Sequence, residues 1–120
     1  MADKYCLGSV TFTPPTVLLD TVLKSGTATL TDSIFNYNLI AIVTDYGTAD
    51  YQTQTNMWYI GKNKNNIITG STKAKSHFIV CWGNSSTNSF ERICVDSGGT
   101  VLTVTERTGN IRVAKIYGIV

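Results

Sequence analysis

Apolar and polar residues alternate in short runs along this chain, and polar turns separate the runs. Alternation at period two marks strands with one wet face. Nine such runs are predicted as strands: 5–12, 17–23, 27–30, 37–45, 52–60, 76–82, 90–95, 100–105 and 110–119. No window combines an i, i+3, i+4, i+7 stripe with good helix formers, so helix is expected nowhere except as a turn near residues 31–36. Gly-rich stretches at 24–26 and 96–100 supply positive φ for turns. "RTGN" at 107–110 predicts a tight hairpin turn, with Gly109 or Asn110 left-handed, joining the last two strands. The expectation is an all-β fold, a jelly-roll-like β-sandwich of eight or nine antiparallel strands, in a single domain over residues 1–120.

Two runs break the alternation. Leu39, Ile40, Ala41, Ile42 and Val43 are all apolar, and "HFIVCW" at 77–82 has the same two-sided character. Both faces of such strands need cover. A chain of 120 residues has room for one modest core and few spare apolar residues. The pattern therefore predicts a homo-oligomer, with loops over the second face as the alternative. The terminal strand, with Ile116, Tyr117, Ile119 and Val120, is a second candidate for the contact.

Composition narrows the class. Charged residues are 15% of the chain, below the roughly 25% usual for globular proteins. Thr, Ser, Asn and Gly take their place, which suits a β-rich, neutral polar surface. A net charge of +2 without a basic stripe excludes nucleic acid as the expected partner. No apolar run approaches the roughly 20 residues that span a membrane, so membrane insertion is not expected. The opening "MADKYCLGSV" lacks the charged-then-apolar pattern of a secretion signal. Cys6, Cys81 and Cys94 are odd in number and widely spaced, which points away from a disulfide framework or zinc site and toward folding in a reducing cytoplasm.

Candidate chemistry is sparse. His77 is the single histidine and starts a strand, where a structural role is the ordinary one. Cys81 shares its face but lies roughly 13 Å along the strand, beyond hydrogen-bond reach. Asp45 and Asp50 flank "YGTA" and could form the carboxylate pair of a glycosidase, although aspartates at loop edges more commonly bond to backbone. No phosphate loop is present, and neither catalytic residues, cofactor nor metal is expected.

The loops offer a surface. If strands run up and down, loops 46–51, 83–89 and 106–109 emerge at one end, and loops 31–36, 61–75 and 96–99 at the other. The first end gathers Tyr46, Tyr51, Asn84, Asn88 and Arg107, and the second gathers Asn36, Lys62, Asn63 and Lys64. Amides bond to hydroxyls and aromatic rings cover the apolar face of a sugar. The first end is the expected binding rim, and a neutral saccharide is the ligand it suits.

Two stretches also carry a family likeness. "GTATLTDSIFNYNLIAIVTD" at 26–45 resembles the G-x-x-T-L-x-D-S-I-x-N-Y-D-x-L pattern of C-terminal domains in bacteriophage tail fibres and minor tail structural proteins. "NIRVAKIYGIV" at 110–120 is similar to the I-x-x-I-Y-G-I ending of those domains. The likeness covers roughly the last 95 residues and leaves 1–25 unmatched, and Asn38 stands where the pattern has Asp. It implies a virion adhesin tip, usually a homotrimer, that binds a host cell-surface glycan or protein without catalysis. Other tail proteins are further partners that it admits. Localisation in the phage tail follows from the same resemblance. A small glycan-degrading hydrolase and a free-standing lectin-like domain are the alternatives.

Overall fold

A computed structural model describes residues 5–7, 10–47, 52–64 and 78–120, with side chains from residue 13 onward. Ten strands follow the chain: β1 (Tyr5–Leu7), β2 (Val10–Phe12), β3 (Thr16–Leu19), β4 (Thr27–Thr29), β5 (Leu39–Tyr46), β6 (Gln54–Tyr59), β7 (Phe78–Gly83), β8 (Asn88–Val95), β9 (Val101–Arg107) and β10 (Ile111–Ile119). One 3₁₀ turn, Ile34–Asn36, lies inside the stretch where a turn is predicted.

Eight strands build two four-stranded antiparallel sheets, β3-β10-β5-β6 and β4-β9-β8-β7. Pairing first with last, β3 with β10 and β4 with β9, is the jelly-roll-like feature. The middle of the chain forms two local hairpins instead, β5–β6 and β7–β8. The core lies between the sheets. Ile40 and Ile42 of β5, Phe78 and Val80 of β7, Ile93 of β8, and Val113 and Ile116 of β10 are all fully buried there.

Two expectations need correction. The run 5–12 is not one strand: it splits into β1 and β2, which pair with each other in a separate two-stranded ribbon. The last two strands do not form a hairpin. The strands and turn fall as predicted, with Gly109 at φ 58°, but β9 pairs with β8 and β4 whereas β10 pairs with β5 and β3. The turn at Gly109 carries the chain across the core instead, from the β4-β9-β8-β7 sheet to the β3-β10-β5-β6 sheet, where β10 finds a partner strand on each side. Arg107 Nε donates to Ile111 O at 2.6 Å and Thr108 N to Phe90 O at 2.9 Å, so the turn is held as an arch between sheets.

One flank of the sandwich is closed by side chains. β6 and β7 are the edge strands of different sheets. Asn56 Nδ2 donates to Cys81 O at 3.1 Å, and Cys81 N donates to Asn56 Oδ1 at 3.0 Å. Gln54 repeats the pattern on Gly83, accepting from its N at 3.0 Å and donating to its O at 2.5 Å. Each amide thus stands in for the backbone of a missing neighbour strand.

The end holding the 3₁₀ turn is a lock. Asp32 accepts from Ser33 N at 2.8 Å, Asn36 Nδ2 at 2.9 Å and Tyr37 Oη at 2.9 Å. These bonds, the backbone bond from Ser33 first, hold its carboxyl below the usual range. Ser33 caps the turn by accepting from Phe35 N and donates to Gly98 O. The ring of the buried Tyr37 lies flat against Gly118 of β10.

The two-sided strands behave as their pattern suggested. On β5, Ile40 and Ile42 face the core, while Leu39, Ala41 and Val43 face outward. Register places Tyr59 and Ile119 beside Leu39, and Met57 and Tyr117 beside Ala41, with Val17 beyond Tyr117. The outer face of this sheet is therefore a continuous apolar field. Tyr59 is 68% and Met57 52% exposed on it.

Candidate functional site

The predicted grouping of loops holds for their described parts. At one end, Gly47 N donates to Asn110 O at 2.8 Å, and Gly109 packs against Ser89 and Tyr46. At the other, Ile34 N donates to Gly99 O at 2.9 Å and Lys62 N to Tyr37 O at 3.0 Å. The first end carries the candidate site.

Tyr46 closes β5, and its ring stacks on Trp82 at 4.8 Å and 24°. Trp82 is buried, and its Nε1 donates to Gln52 O at 2.7 Å, which ties the exit of the 46–52 loop to the rim. The β9–β10 turn lies over this pair. A Cβ on Gly109 would collide with Ser89 Oγ and come within 2.8 Å of Tyr46 Oη, so only glycine fits a turn this close.

Beside the stack is a shallow cavity of about 270 Å³, lined by Cys81, Trp82, Gly83, Asn88, Ser89 and Phe90. Asn88 is exposed at its mouth. Gly83 leaves room for the Asn88 amide, since a Cβ there would sit 2.5 Å from Asn88 Oδ1. Phe90 presents a ring on the outer face, with the Arg92 guanidinium carbon 5.9 Å from its centroid.

The five residues expected at the rim divide accordingly. Asn88 lines the cavity together with Trp82, and Tyr46 stacks on Trp82 without lining the cavity itself. Asn84 lies in the adjoining loop, but its Oδ1 accepts from Ser86 N at 2.9 Å and Thr87 N at 2.8 Å, so that oxygen shapes the loop. Arg107 is exposed at the same end and clamps the turn through Ile111 O. Tyr51 lies outside the described residues, as do His77 and Asp50. Asp45 is committed elsewhere: it is buried, and its two oxygens accept from Arg112 Nε at 2.5 Å and Nη2 at 3.2 Å. Such a bidentate pair holds the carboxylate away from substrate chemistry.

Sequence reading missed Trp82 and Phe90 as site residues because both fall within strand-like runs, and missed Ser89 because β8 begins at Asn88, inside the stretch predicted as a loop. It also missed Glu91. Glu91 is 0% exposed on β8, and neither carboxyl oxygen has a hydrogen-bond partner. Burial pushes its carboxyl up to about 8, against the opposing pull of Arg107. No group of three or more His, Cys, Asp or Glu side chains is arranged to hold a metal among the described residues. No helix among them is long and apolar enough to cross a membrane.

Comparison with family models, with curated proteins and with solved structures finds no match for this chain.

Proposed function

We propose that this chain is a receptor-binding domain of a phage tail fibre or tail tip, which attaches to a host cell-surface saccharide through the Tyr46–Asn88 rim, as a homo-oligomer and without catalysis. One observation supports this reading above the others. Both stretches that resemble tail-fibre domains lie together in space: β5 pairs with β10 along its length, and Tyr37 of the first packs on Gly118 of the second. Much of what the resemblance rests on is thus the internal lock and its sheet. The opposite end is left to loops, where recognition residues can vary without loss of fold. There the Asn88 amide and the Phe90 ring line a cavity whose Trp82 wall is backed by the stacked Tyr46 ring, a combination suited to a neutral hydroxyl-rich ligand.

Binding of the purified chain to intact cells of candidate hosts, and to a glycan array, tests the rim. Asn88→Ala is expected to weaken binding about fivefold or more, the size that truncation of an interface contact of ~1 kcal/mol produces, with an unchanged melting temperature. Lys62→Ala, at the opposite end, is expected to bind like the parent. If Asn88→Ala binds normally while Lys62→Ala and Lys64→Ala do not, the other end is the binding end. Release of sugar fragments during the assay would favour the hydrolase reading instead.

The oligomer uses the apolar field over β6, β5, β10 and β3. Large exposed apolar patches mark association surfaces, and three weak sites on one tip raise avidity without a new contact. Sedimentation equilibrium at tens of micromolar chain is expected to give three chain masses. Met57→Glu and Tyr59→Glu, each placing a charge in the field, are expected to shift the chain to monomer while circular dichroism stays all-β. A parent that sediments as a monomer would remove the field from the argument.

A further inference from the structure

We propose that Glu91 is a proton-operated latch for the rim: neutral, it stays buried and leaves Arg107 clamped on Ile111 O; ionised, it draws the guanidinium inward and releases the β9–β10 turn. This rests on the loop end being the working surface of the domain, and it adds a control to that surface.

The geometry is specific. Glu91 and Arg107 are register partners on adjacent antiparallel strands, and such partners share a face. One is sealed between the sheets without a hydrogen bond, and the other reaches past the sheet end to a carbonyl at 2.6 Å. From β7, Val80 and Trp82 share the inner face with Glu91, and from β5 and β10 the inward residues at this end are Thr44, Tyr46, whose ring stacks on Trp82, Ile111 and Val113. None of these carries a charge. The next register pair, Arg92 and Glu106, bonds to itself at 3.1 Å on the outer face. Among the described residues, Arg107 is therefore the charged group that faces Glu91.

An isolated carboxylate in such a place is costly, so the group remains protonated until a cation reaches it. When the proton leaves to solvent, the carboxylate offers Arg107 a charged acceptor, which bonds more strongly than a neutral carbonyl. The guanidinium has to swing inward to use it, and the bond from Nε to Ile111 O is then broken. That bond spans the turn from Arg107 to Ile111, and Gly109 within the turn packs on Tyr46 and Ser89. Proton loss at Glu91 thereby moves the wall that holds the Tyr46–Trp82 stack.

Nuclear magnetic resonance on the full chain from pH 6 to 9 reads this without any ligand, so its outcome does not depend on whether a saccharide binds. The Arg107 Nε–H and the Gly109 and Asn110 amides are expected to shift together, with a midpoint near 8. Gly99 and Ser33, at the far end, are expected to stay still. Glu91→Gln keeps the shape but cannot ionise, and it leaves every other residue of the rim in place. The concerted rim shift should vanish in Glu91→Gln. Static rim signals in the parent, or the same titration in Glu91→Gln, would overturn the latch. Rim mutants that fail to affect cell binding would leave it intact.

Discussion

Replacing Glu91 with leucine is expected to stabilise the domain, and by much more at pH 8.5 than at pH 4.5. The folded chain holds the Glu91 carboxyl at about 8, against 4.5 for an ordinary glutamate in water. A carboxyl raised by folding favours the protonated state. Its contribution is fully present below 4.5 and is lost as the pH rises through 8, because the unfolded chain gives up the proton first. The full loss is on the order of 3–5 kcal/mol above pH 8, at roughly 1.4 kcal/mol per unit. Leucine removes that dependence and also removes two buried oxygens without partners, which is worth about 1–3 kcal/mol at any pH. Calorimetry should thus show a rise in Tm of roughly 4–12 °C at pH 4.5 and one on the order of 20 °C at pH 8.5. An equal gain at both pH values would mean that Glu91 ionises in the folded state as it does in the unfolded one.

Gly118→Ala carries the second large effect, in the opposite direction. A Cβ at residue 118 would lie 2.6 to 2.7 Å from three atoms of the Tyr37 ring. The ring cannot retreat cheaply. It is buried, and its hydroxyl donates to Asp32, whose other oxygen holds Ser33 N and Asn36. Overpacking of this kind costs about 1–3 kcal/mol. Loss of the bond to a charged acceptor adds about 1.5–3 kcal/mol. Alanine's better strand propensity offsets well under 1 kcal/mol of that. Chemical denaturation should therefore show a loss of about 3 kcal/mol with an unchanged m-value. The double variant Gly118→Ala, Tyr37→Leu should lose less than the two single variants summed, since the clash disappears with the ring. Strict additivity would show that the two residues do not oppose each other.

Much of the fold could be read from the chain because one-face burial writes period two into the residues. β6 falls within two residues of its predicted bounds for this reason, and β5, β7 and β10 do so because polar turns delimit their apolar runs. The grouping of loops at two ends was also legible, because it needs only alternating strand direction. The partner of β10 was not legible. A short turn with Gly109 is compatible with a hairpin and with an arch, and the choice depends on strands 65 and more residues away. Glu91 left a faint signal. Counting back by twos from the buried Ile93 puts Glu91 and Ser89 inside and Arg92 and Phe90 outside. Residue type argued against that parity, since a carboxylate is rarely buried and phenylalanine rarely faces out. The cavity inherits the same inversion: its aromatic ring comes from the wrong face of β8 by composition alone.

The amides of Gln54 and Asn56 have a consequence for how copies of this chain can meet. An exposed edge strand invites another strand to continue the sheet, and that mode of growth never closes on itself. At β7 the outward N–H and C=O of Cys81 and Gly83 are already taken from within the chain. A second copy arriving there finds no ladder to extend. Growth from this stretch of β7 is opposed by two side chains, whereas the broad apolar face offers a contact that can close into a finite ring.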